Sequence, residues 1–460
     1  MHPLDAPLVE ALPPESLYAV GGRVRDELRA AIEGHPAATL DADYVVVGVP
    51  LSDLLDRLSP LGRVDLVGAS FAVIKFSAGG MTVDIATPRR EHSIGPGHRD
   101  FHVESGPEVT IEEDLGRRDF RMNMLARALP SGRILDPYGG EGDIRARRID
   151  ILTGSAFRED PLRMLRAAQF AARFHYEVTP QVRAAMTEAA PLVVTVSPER
   201  VQDELIKLLS ASKPSIGFAL LQKTGVLGHL WPELAEGVGV EQNEWHAYDV
   251  WLHTLAALDA APPDDLVLRL ATLLHDVGKP RTKVGPHFYR HEIVGAEMAQ
   301  AMLERIRFSN DIVQTTEHLV RNHMYSADPH LSDAGIRRFI RRIGSQHIER
   351  LFALREADIV GSGLPRRDGS NELFQSRVRD ELARKPAFSI RELAIGGDDV
   401  VAALVRRGDA QAGFSGDARV GTALRWLFEQ VTDEPERNER TLLLALLEQY
   451  LGSSAHPGDA

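Results

Sequence analysis

Hydrophobic and polar positions follow two different patterns along the chain, and the change falls near residue 156. Before it, four short runs rich in β-branched residues predict strands: LYAV, DYVVVGV, FAVIKFS and TVDIA. Segments with apolar residues at helical spacing lie among them: VRDELRAAI and SDLLDRL. This pattern predicts an α/β domain over residues 17–150.

After residue 156 the apolar spacing is helical almost throughout. Clear examples are PLRMLRAAQFAARF, PERVQDELIKLLS, DLVLRLATLLHDV and AEMAQAMLERI. Proline and glycine mark breaks at residues 261–265, 279–288 and 361–370. We therefore expect an all-α region that is divided into several parts.

Length and composition narrow the class of protein. A chain of 460 residues exceeds what one compact core usually holds, so we expect several domains. Because the chain has no cysteine, disulfides and thiolate metal sites are excluded, and His, Asp and Glu remain as metal ligands. The N-terminal stretch does not resemble a signal peptide, and no apolar run reaches membrane-spanning length. We expect a cytoplasmic protein with no membrane partner.

The net charge of −13 counts mildly against a nucleic-acid binder, since such proteins are more often basic. Local basic patches matter more than the sum. The sequence contains two of them, RRDFRMNMLAR at 117–127 and IRRFIRR at 336–342. Nucleic-acid binding therefore stays open.

Two acidic residues lie at the start of a predicted apolar strand. Asp41 and Asp43 are two residues apart, so their side chains point the same way if the chain is extended. Paired carboxylates can bind a divalent cation, and Mg²⁺ prefers such oxygen ligands. Asp84, in MTVDIAT, is a candidate third acid. An isolated Asp-x-Asp is more often a turn residue followed by a strand-start carboxylate.

The stretch YAVGGRVRDEL supports the prediction of a site that binds a metal and a phosphate group. A predicted strand ends at Gly21-Gly22, and a helix with Arg25 and Asp26 follows. Glycines allow close backbone approach, and a helix N-terminus binds phosphate. Arg25 can add a charged contact to a triphosphate.

Taken together, YAVGGRVRD and LDADYVVVG resemble the head of the class II tRNA nucleotidyltransferases, the CCA-adding family. The resemblance implies a polymerase-beta-like nucleotidyltransferase fold that uses Mg²⁺. It implies that Asp41 and Asp43 are the catalytic magnesium ligands and that Asp84 is the third catalytic carboxylate. Gly21, Gly22, Arg25 and Asp26 then belong to the nucleotide site.

The stretch EEDLGRRDFRMNML resembles the Arg-Arg-Asp-Phe-x-x-Asn motif of that family. Asp119 and Asn123 are four residues apart and would share one face of a helix. Arg118 can reach a phosphate, whereas Arg117 also fits an exposed helix start. The family usually has a small or hydroxyl residue where Arg121 stands, so the sequence leaves the role of Arg121 open.

The stretch REDPLRMLRAAQFAARF resembles the family's Glu-Asp-x-x-Arg-x-x-Arg helix. Asp160, Arg163 and Arg166 are spaced by three and are expected to line one helix face. The resemblance implies that Asp160 and Arg163 read the base of CTP or ATP, that Glu159 orients Arg163, and that Arg166 lies near the phosphates. The family often has arginine where Gln169 stands, which puts one nucleotide contact in doubt.

A second set of candidate ligands centres on His275 and Asp276, two polar residues at the end of an apolar helix. A single histidine is more often structural than a ligand, but the ordered set here resembles the HD phosphohydrolase domain. The resemblance implies that six residues bind a divalent metal that activates water: His253, His275, Asp276, His291, His323 and Asp358. Lys279 either contacts phosphate or simply ends a helix, and the ligands could also persist only for stability.

The segment 390–431 resembles the tail that packs on the tRNA elbow in this family. The expected fold class is therefore an α/β N-terminal nucleotidyltransferase domain followed by all-α neck, HD and tail domains. The expected bounds are 17–150 for the head, 151–240 for the neck, 245–365 for the HD domain and 375–452 for the tail.

The function that the resemblance implies is template-independent addition of CCA to the tRNA 3′ end, with CTP and ATP as donors. The HD domain would add phosphatase or 2′,3′-cyclic phosphodiesterase activity. CC-only or A-only addition stays open, because the loop 89–104, which resembles the family's nucleotide-switching loop, does not decide between them. The oligomeric state also stays open.

Three other functions fit the sequence less well. A poly(A) polymerase is disfavoured because Ala69 and Ser70 stand where such enzymes usually have a Gly-Arg-Arg-Phe-Arg-Leu stretch. An HD-domain nucleotide hydrolase with a silent N-terminal domain is opposed by the intact pair Asp41 and Asp43. A non-catalytic tRNA-binding protein is the least favoured, because both halves carry candidate metal ligands.

Overall fold

The structure is a computed structural model that describes residues 2–36, 42–67, 73–93, 101–365, 369–384 and 386–453. The predictions made for Asp41, for Ala69 and Ser70, and for the middle of the loop 89–104 lie outside these residues. Among the described helices, none is both long enough and apolar enough to cross a membrane.

The head is a twisted sheet with helices packed against it. Its elements are α1 (Asp5–Ala11), β1 (Leu17–Val20), α2 (Gly22–Glu33), β2 (Asp43–Val46), α3 (Leu51–Leu58), β3 (Arg63–Val67), β4 (Val73–Ala78), β5 (Met81–Ala86), β6 (Arg89–Ser93), β7 (Phe101–Ser105), α4 (Ile111–Gly116), a 3-10 helix (Arg121–Asn123), β8 (Ala126–Ala128), β9 (Ile134–Leu135), α5 (Gly140–Arg145) and β10 (Arg148–Ile149). Within the described residues the sheet has seven strands in the order β3-β4-β5-β2-β1-β8-β9, and β2 and β5 run parallel.

Apolar residues of the predicted strands form the core of the head. In β2, Tyr44, Val45 and Val46 are all buried, which agrees with the continuous apolar run in the sequence. In β5, Val83 and Ile85 are buried, whereas Thr82 and Asp84 are exposed. The strand therefore turns every second side chain away from the core.

The neck is helical apart from one short strand. Its elements are α6 (Ala156–Glu159), α7 (Leu162–Phe174), β11 (Glu177–Val178), α8 (Pro180–Ala189), a 3-10 helix (Ala190–Thr195), α9 (Pro198–Leu209), α10 (Pro214–Lys223), α11 (Val226–Leu230) and α12 (Pro232–Ala235). β11 pairs in parallel with β10 of the head.

One helix predicted in the neck is broken. Asp160 has an extended backbone (φ −139°, ψ 100°) and separates α6 from α7. The break arises because Pro161 follows it, and a residue before proline is disfavoured in the helical conformation. The expectation that Asp160 shares a helix face with Arg163 and Arg166 is therefore wrong, although Arg163 and Arg166 both lie on α7.

The HD domain is a helical bundle with one small hairpin. Its elements are α13 (Val250–Ala260), α14 (Leu266–Leu274), α15 (Lys279–Thr282), β12 (Lys283–Val284), β13 (His287–Phe288), α16 (His291–Arg305), α17 (Asn310–Asn322), α18 (Asp333–Ile343), a 3-10 helix (Ser345–His347) and α19 (Ile348–Gly361); α20 (Ser370–Ala383) follows. Head, neck and HD domain share one contiguous apolar core.

The tail has a small core of its own. Its elements are a 3-10 helix (Ile390–Glu392), α21 (Gly397–Arg407), α22 (Ala418–Asp433), a second 3-10 helix (Pro435–Arg437) and α23 (Arg440–Ser453). Val400, Leu427, Leu443 and Leu447 are fully or almost fully buried in it. Since this core is separate from the main one, contacts across the boundary must hold the tail in place.

Arginines of the basic patch 336–342 supply such contacts. Arg337 is buried, lies 2.8 Å from the Glu381 carboxylate, and donates to the carbonyl oxygens of Thr432 and Asp433 at the end of α22. Cations are stabilised at a helix C-terminus. Arg341 pairs with Glu429 at 2.7 Å. These side chains of the patch thus bind the tail of the protein.

We predict that Arg337→Ala destabilises the protein by about 3 kcal/mol, because it leaves the buried Glu381 carboxylate with only the exposed Arg384 as an ionic partner. The matched control is Arg341→Ala, whose ion pair is partly exposed and is expected to contribute about 1 kcal/mol or less. Urea unfolding of both variants measures the difference. Equal, small effects of the two substitutions would show that Arg337 does not hold the tail.

Candidate active sites

Two carboxylates meet on neighbouring strands of the head. Asp43 begins β2 and is the direct register partner of Asp84 on the parallel strand β5. Paired residues of adjacent strands point to the same face, so the two side chains lie side by side. Both are exposed while their strand neighbours are buried. This arrangement presents carboxylate oxygens that suit a divalent cation.

A glycine turn lies against this acidic pair. Gly21 has a φ of +67° and ends β1, and α2 begins at the next residue. A Cβ atom on Gly21 would lie 2.8 Å from Nη1 of Arg118 and 3.6 Å from Oδ2 of Asp43. Only glycine satisfies both the positive φ and this close approach. The helix N-terminus, Arg118 and Asp43 therefore converge at one place.

Arg25 and Asp26 make their contacts with the protein. Nε of Arg25 donates to Oδ1 of Asp26 at 2.7 Å, and Nη1 donates to Oδ1 of Asn123 at 2.8 Å. The guanidinium also lies over the rings of Phe170 and Phe174, 5.1 and 4.9 Å from their centroids. Arg25 borders the cavity described below, but these contacts fix it as a link between head and neck.

Asp119 links the two domains from the other side. Its carboxylate accepts hydrogen bonds from Asn123 Nδ2 at 2.8 Å and from Arg166 Nε at 2.7 Å. The expected helix carrying both Asp119 and Asn123 is absent, since only residues 121–123 form a 3-10 turn, yet the predicted contact is made. Burial would raise the pKa of Asp119, but the charge of Arg166 and these hydrogen bonds outweigh burial and lower it.

The two residues expected to read the base are held by neighbours. Arg163 donates to the backbone carbonyl of Arg117 at 2.7 Å and lies 3.4 Å from Glu159, the residue expected to orient it. Oδ2 of Asp160 accepts from Arg200 at 2.7 Å. Sequence reasoning missed Arg200, because nothing in its helix distinguishes it from an ordinary surface arginine.

These side chains surround one cavity of about 630 Å³ between head and neck. Ten of the predicted residues border it: Gly21, Gly22, Arg25, Asp43, Arg118, Asp119, Asn123, Asp160, Arg163 and Arg166. Asp26 and Asp84 do not belong to its wall, since Asp26 faces Arg25 and Asp84 lies one strand beyond Asp43.

Arg121 and Gln169, which depart from the family pattern, have different surroundings. Arg121 lies 3.1 Å from the buried Asp143 and 3.4 Å from Asp150, so it joins the 3-10 turn to the end of the head. Gln169 is buried and borders the cavity.

Asp114 positions the arginines of the cavity wall and was not predicted. Its fully buried carboxylate pairs with Arg117 at 2.8 Å and with Arg118 at 3.2 Å. Burial would raise the pKa of Asp114, but the charges of the two arginines outweigh burial and lower it. The charged form is therefore the one that the fold stabilises.

In the HD domain, three histidines are oriented by local backbone. Nδ1 of His275 lies 2.8 Å from the carbonyl oxygen of Thr272, and His291 and His323 make the same contact with residues three positions earlier, at 3.0 and 2.7 Å. Because a carbonyl can only accept, each Nδ1 carries the proton and each Nε2 is left as a ligand atom. This is the usual arrangement of metal-binding histidines.

The Nε2 atoms converge on Asp276. Its Oδ2 lies 3.2 Å from His275 and 3.3 Å from His253, and its Oδ1 lies 3.4 Å from His291 and 3.7 Å from His323. The pKa of Asp276 is well below its usual range, since the charges of His275 and Lys279 outweigh the effect of burial. Two of the three groups of possible ligands share Asp276, and imidazoles with carboxylates suit divalent transition metals or zinc.

Asp358 and one further histidine complete this cluster. Oδ1 of Asp358 lies 3.2 Å from Nε2 of His253. His246, which sequence reasoning missed, packs edge-on against His253 with ring centroids 4.9 Å apart. Burial and then the charge of Lys279 lower the pKa of His246 to about 4. All six predicted HD residues are thus brought together.

A second cavity of about 460 Å³ opens onto this cluster. Its floor includes Asp276, His291, His323 and Asp358, and its walls include Trp245, Phe288, Lys279 and Arg355. Such a cavity combines metal ligands with cations and aromatic rings, which suits a phosphate ester carrying an organic group.

The acidic strand pair, the glycine turn at a helix N-terminus and the basic neck cavity define the class of a polymerase-beta-like nucleotidyltransferase joined to an HD domain. Three family models match the chain: "Poly A polymerase head domain" over residues 17–150, "Probable RNA and SrmB- binding site of polymerase A" over 175–237, and "HD domain" over 245–360.

Relatives with similar sequences identify a narrower family within this class. The multifunctional CCA protein of Cupriavidus metallidurans is 37% identical over 321 residues, which cover 67% of this chain and 74% of the relative. That of Verminephrobacter eiseniae is 34% identical over 432 residues, which cover 90% of this chain and 100% of the relative. The chain belongs to the family of the multifunctional CCA proteins, CCA-adding tRNA nucleotidyltransferases with an HD domain.

Solved structures agree on the fold. The Bacillus stearothermophilus CCA-adding enzyme in complex with CTP has a TM-score of 0.67 at 24% identity, with 95% of this chain and 94% of that chain covered. The Thermotoga maritima CCA-adding enzyme complexed with tRNA has a TM-score of 0.53 at 19% identity, with 95% and 91% covered. The predicted family and fold class are confirmed.

We predict that Asp114→Asn destabilises the protein by about 2 kcal/mol at pH 7, because the ionic hydrogen bonds to Arg117 and Arg118 are lost. The folded-state pKa of Asp114 is lowered, so its stabilising contribution is present above the pKa of the unfolded chain and is lost as pH falls through the folded value. Urea unfolding at pH 7 and at pH 2.5, well below the pKa of an aspartate in the unfolded chain, measures this difference.

The control for this prediction is Glu112→Gln on the exposed side of the same helix, which is expected to change stability by less than about 0.5 kcal/mol. If Asp114→Asn lowers the free energy of unfolding by the same amount at both pH values, the effect does not arise from the charge of Asp114.

Proposed function

We propose that this protein adds CCA to the 3′ end of tRNA without a template, with CTP and ATP as donors. The observation that carries the proposal is the single cavity that combines Asp43, the turn at Gly21, Asp119 and the pair Asp160 and Arg163. The relatives named multifunctional CCA proteins support it, as do the similar structures that hold CTP or tRNA.

The acidic pair is proposed as the catalytic metal site. Divalent metal use is implied by both families, and we propose Mg²⁺ here because Asp43, Asp84 and Asp41 offer carboxylate oxygens. When bound, Mg²⁺ supplies charge neutralisation of the triphosphate and lowers the pKa of the attacking ribose hydroxyl. The α2 N-terminus at Gly22 and the Arg118 guanidinium then bind phosphate oxygens next to these acids.

Base selection is assigned to Asp160 and Arg163. On the Watson–Crick edge, cytosine and adenine each present an amino donor next to a ring-nitrogen acceptor. A carboxylate that accepts and a guanidinium that donates match this pair of groups, whereas uracil and guanine present a carbonyl acceptor next to a ring N–H donor. Arg200 and the Arg117 carbonyl hold the two side chains in place, so the protein itself can act as the template.

The remaining partners follow from the same proposal. The tail, with its separate core, is proposed to contact the tRNA elbow. Because the proposed activity needs access to tRNA, we keep the cytoplasmic location as part of the proposal.

An extension assay tests this function. Purified protein, Mg²⁺, CTP and ATP are supplied with three tRNAs: one that lacks the CCA end, one that ends after its first C, and one that ends after CC. We expect CTP alone to extend the first two and ATP alone to extend only the third by one residue. Asp43→Ala is expected to lower the rate at least about 1,000-fold, because the metal site loses a ligand.

The matched control is Asp53→Ala, which removes an exposed carboxylate on α3 and should retain full activity. Absence of extension by the wild-type protein, or undiminished extension by Asp43→Ala, would reject the proposal. Long adenylate tails would instead identify a poly(A) polymerase, and a product ladder that ends at CC would identify a CC-adding enzyme.

The HD cluster favours a second activity. We propose that it hydrolyses phosphate esters, as a phosphatase or a 2′,3′-cyclic phosphodiesterase, with divalent metal. The supporting observation is that possible ligand atoms of four histidines and two acids converge, and that His291, His323 and the two acids line the floor of a cavity. The choice of metal is left to measurement.

We predict that Asp276→Asn lowers both the bound metal, measured by mass spectrometry, and the hydrolysis of 2′,3′-cyclic nucleotides at least about 100-fold. Nucleotide addition should stay within twofold of wild type, which also shows that the chain folds. His323→Asn provides a second ligand variant, and Glu297→Gln on the exposed face of α16 is the control. Unchanged hydrolysis in both ligand variants would exclude the cluster as the catalytic site.

A further inference from the structure

The N-terminal helix α1 packs on the head although it lies before residue 17, the predicted start of that domain. Leu4, Leu8 and Leu12 are spaced by four residues, which places them on one helix face, and all three are buried in the main core. Asp5 begins the same helix and is only 2% exposed. A buried carboxylate is costly unless it is paired, so the partners of Asp5 decide why it is there.

Two buried side chains of the head bond to this carboxylate. Nη1 and Nη2 of Arg23, on α2, donate to its two oxygens at 2.8 and 2.6 Å, which makes a bidentate ion pair. The Tyr44 hydroxyl, on β2, donates to Oδ1 of Asp5 at 2.7 Å and accepts from Nη1 of Arg23 at 3.1 Å. Burial would raise the pKa of Asp5, but the hydrogen bonds from Arg23 and Tyr44 outweigh burial and lower it. The three side chains therefore form a closed triangle of hydrogen bonds around a charged carboxylate.

Each partner of Asp5 is the chain neighbour of a residue in the proposed transferase site. Arg23 follows Gly22, where the N-terminus of α2 is proposed to bind phosphate, and Tyr44 follows Asp43, the proposed metal ligand. Because side chains alternate along a strand, Asp43 is exposed on one face of the sheet and Tyr44 is buried on the other. The triangle thus joins the first turn of α2 to β2 directly behind the site.

We infer that Asp5 is a positioning residue for nucleotidyl transfer, which fixes the N-terminus of α2 relative to the Asp43 carboxylate through Arg23 and Tyr44. The inference rests on the proposed nucleotide addition and on the metal site proposed at Asp43. In that reaction the metal and the α2 N-terminus bind the same triphosphate, so a shift of one relative to the other misaligns the reacting groups. A misplacement of about 1 Å can lower a rate about 100-fold. Asp5 does not border the nucleotide cavity, so it acts only through its two partners.

Two variants break the triangle in different ways. Asp5→Asn keeps the size of the side chain but removes its charge and turns one acceptor into a donor, while Arg23 keeps Glu27 as a partner at 3.0 Å. Tyr44→Phe removes only the hydroxyl, so the ion pair that holds α1 is retained and only the link to β2 is lost.

The rate of CTP addition to a tRNA that lacks the CCA end measures the effect. We expect each variant to lower kcat about tenfold and to raise the Mg²⁺ concentration for half-maximal rate about tenfold, as for other residues that orient a metal ligand from behind. KM for the tRNA should stay within about twofold, because the change is confined to the far side of the sheet. The matched control is Glu10→Gln, the same change from carboxylate to amide on the exposed face of α1, which should leave all three values unchanged.

Calorimetry of CTP binding without tRNA gives a readout that needs no catalysis. Mg²⁺ is expected to strengthen CTP binding to the wild-type protein. In Asp5→Asn and Tyr44→Phe this gain should fall about tenfold, whereas binding in EDTA should stay close to that of the wild type. Glu10→Gln should keep the full gain.

A purely structural role of Asp5 predicts another outcome. Both variants would then unfold at lower urea concentrations but, while folded, would keep the wild-type kcat, Mg²⁺ requirement and CTP binding, and this result would overturn the inference. Equal losses in Glu10→Gln would overturn it as well. If Asp5→Asn does not fold, Tyr44→Phe decides, since it keeps the ion pair.

Extension by the wild-type protein is measured in parallel. Failure of this extension rejects the proposed nucleotide addition, and with it the basis of the inference. Extension by the wild-type protein together with unchanged values in Tyr44→Phe rejects only the inference.

Discussion

The buried carboxylate of Asp119 joins the two sides of the cavity between head and neck, and the geometry of that cavity depends on it. Asp43 and Gly21 belong to the sheet of the head, whereas Asp160 and Arg163 belong to the neck. Asp119 bonds to Arg166 of the neck and to Asn123, and Asn123 in turn receives a hydrogen bond from Arg25 on α2. Burying ions is costly, so such a network is stable only when its groups are mutually satisfied. Its directional bonds fix the distance between the acidic pair and the pair Asp160 and Arg163.

The arginines around this cavity are held by protein partners in different ways. Arg163 is bonded to a backbone carbonyl, Arg118 to the buried carboxylate of Asp114, and Arg25 to two side chains and two aromatic rings. A guanidinium has five N–H donors in a planar fork, so it can keep such a partner and still donate to a ligand. Arginine at these positions thus combines charge with fixed orientation, which a flexible lysine ammonium would not provide.

Features that follow from local periodicity could be predicted from the sequence. The alternation of side chains along β5 separates Asp84 from its buried neighbours, and the strand pattern predicted the strands that carry Asp43 and Asp84. The ordered set of histidines and acids predicted the HD cluster. Features that arise between distant segments were missed. Arg200 meets Asp160 across 40 residues, Arg337 meets the end of α22 across 95, and no pattern around either arginine indicates its partner. At Asp160 a local rule was available, since Pro161 follows it, and the helical spacing was given too much weight.

This contrast explains why the two candidate sites differ in how fully the sequence predicts them. In the HD domain, the carbonyl that orients each of His275, His291 and His323 lies three residues earlier in the chain. It belongs to the preceding helix for His275 and His323 and to β13 for His291. The ligand set is then complete once the helices pack around Asp276. In the transferase site, the position of each group depends on strand register and on the contact between head and neck. Residue identities there can be predicted from sequence, but their distances depend on the network through Asp119. A substitution remote from the reacting atoms, at Asn123 or Asp114, would therefore disturb the transferase site more readily than the HD cluster.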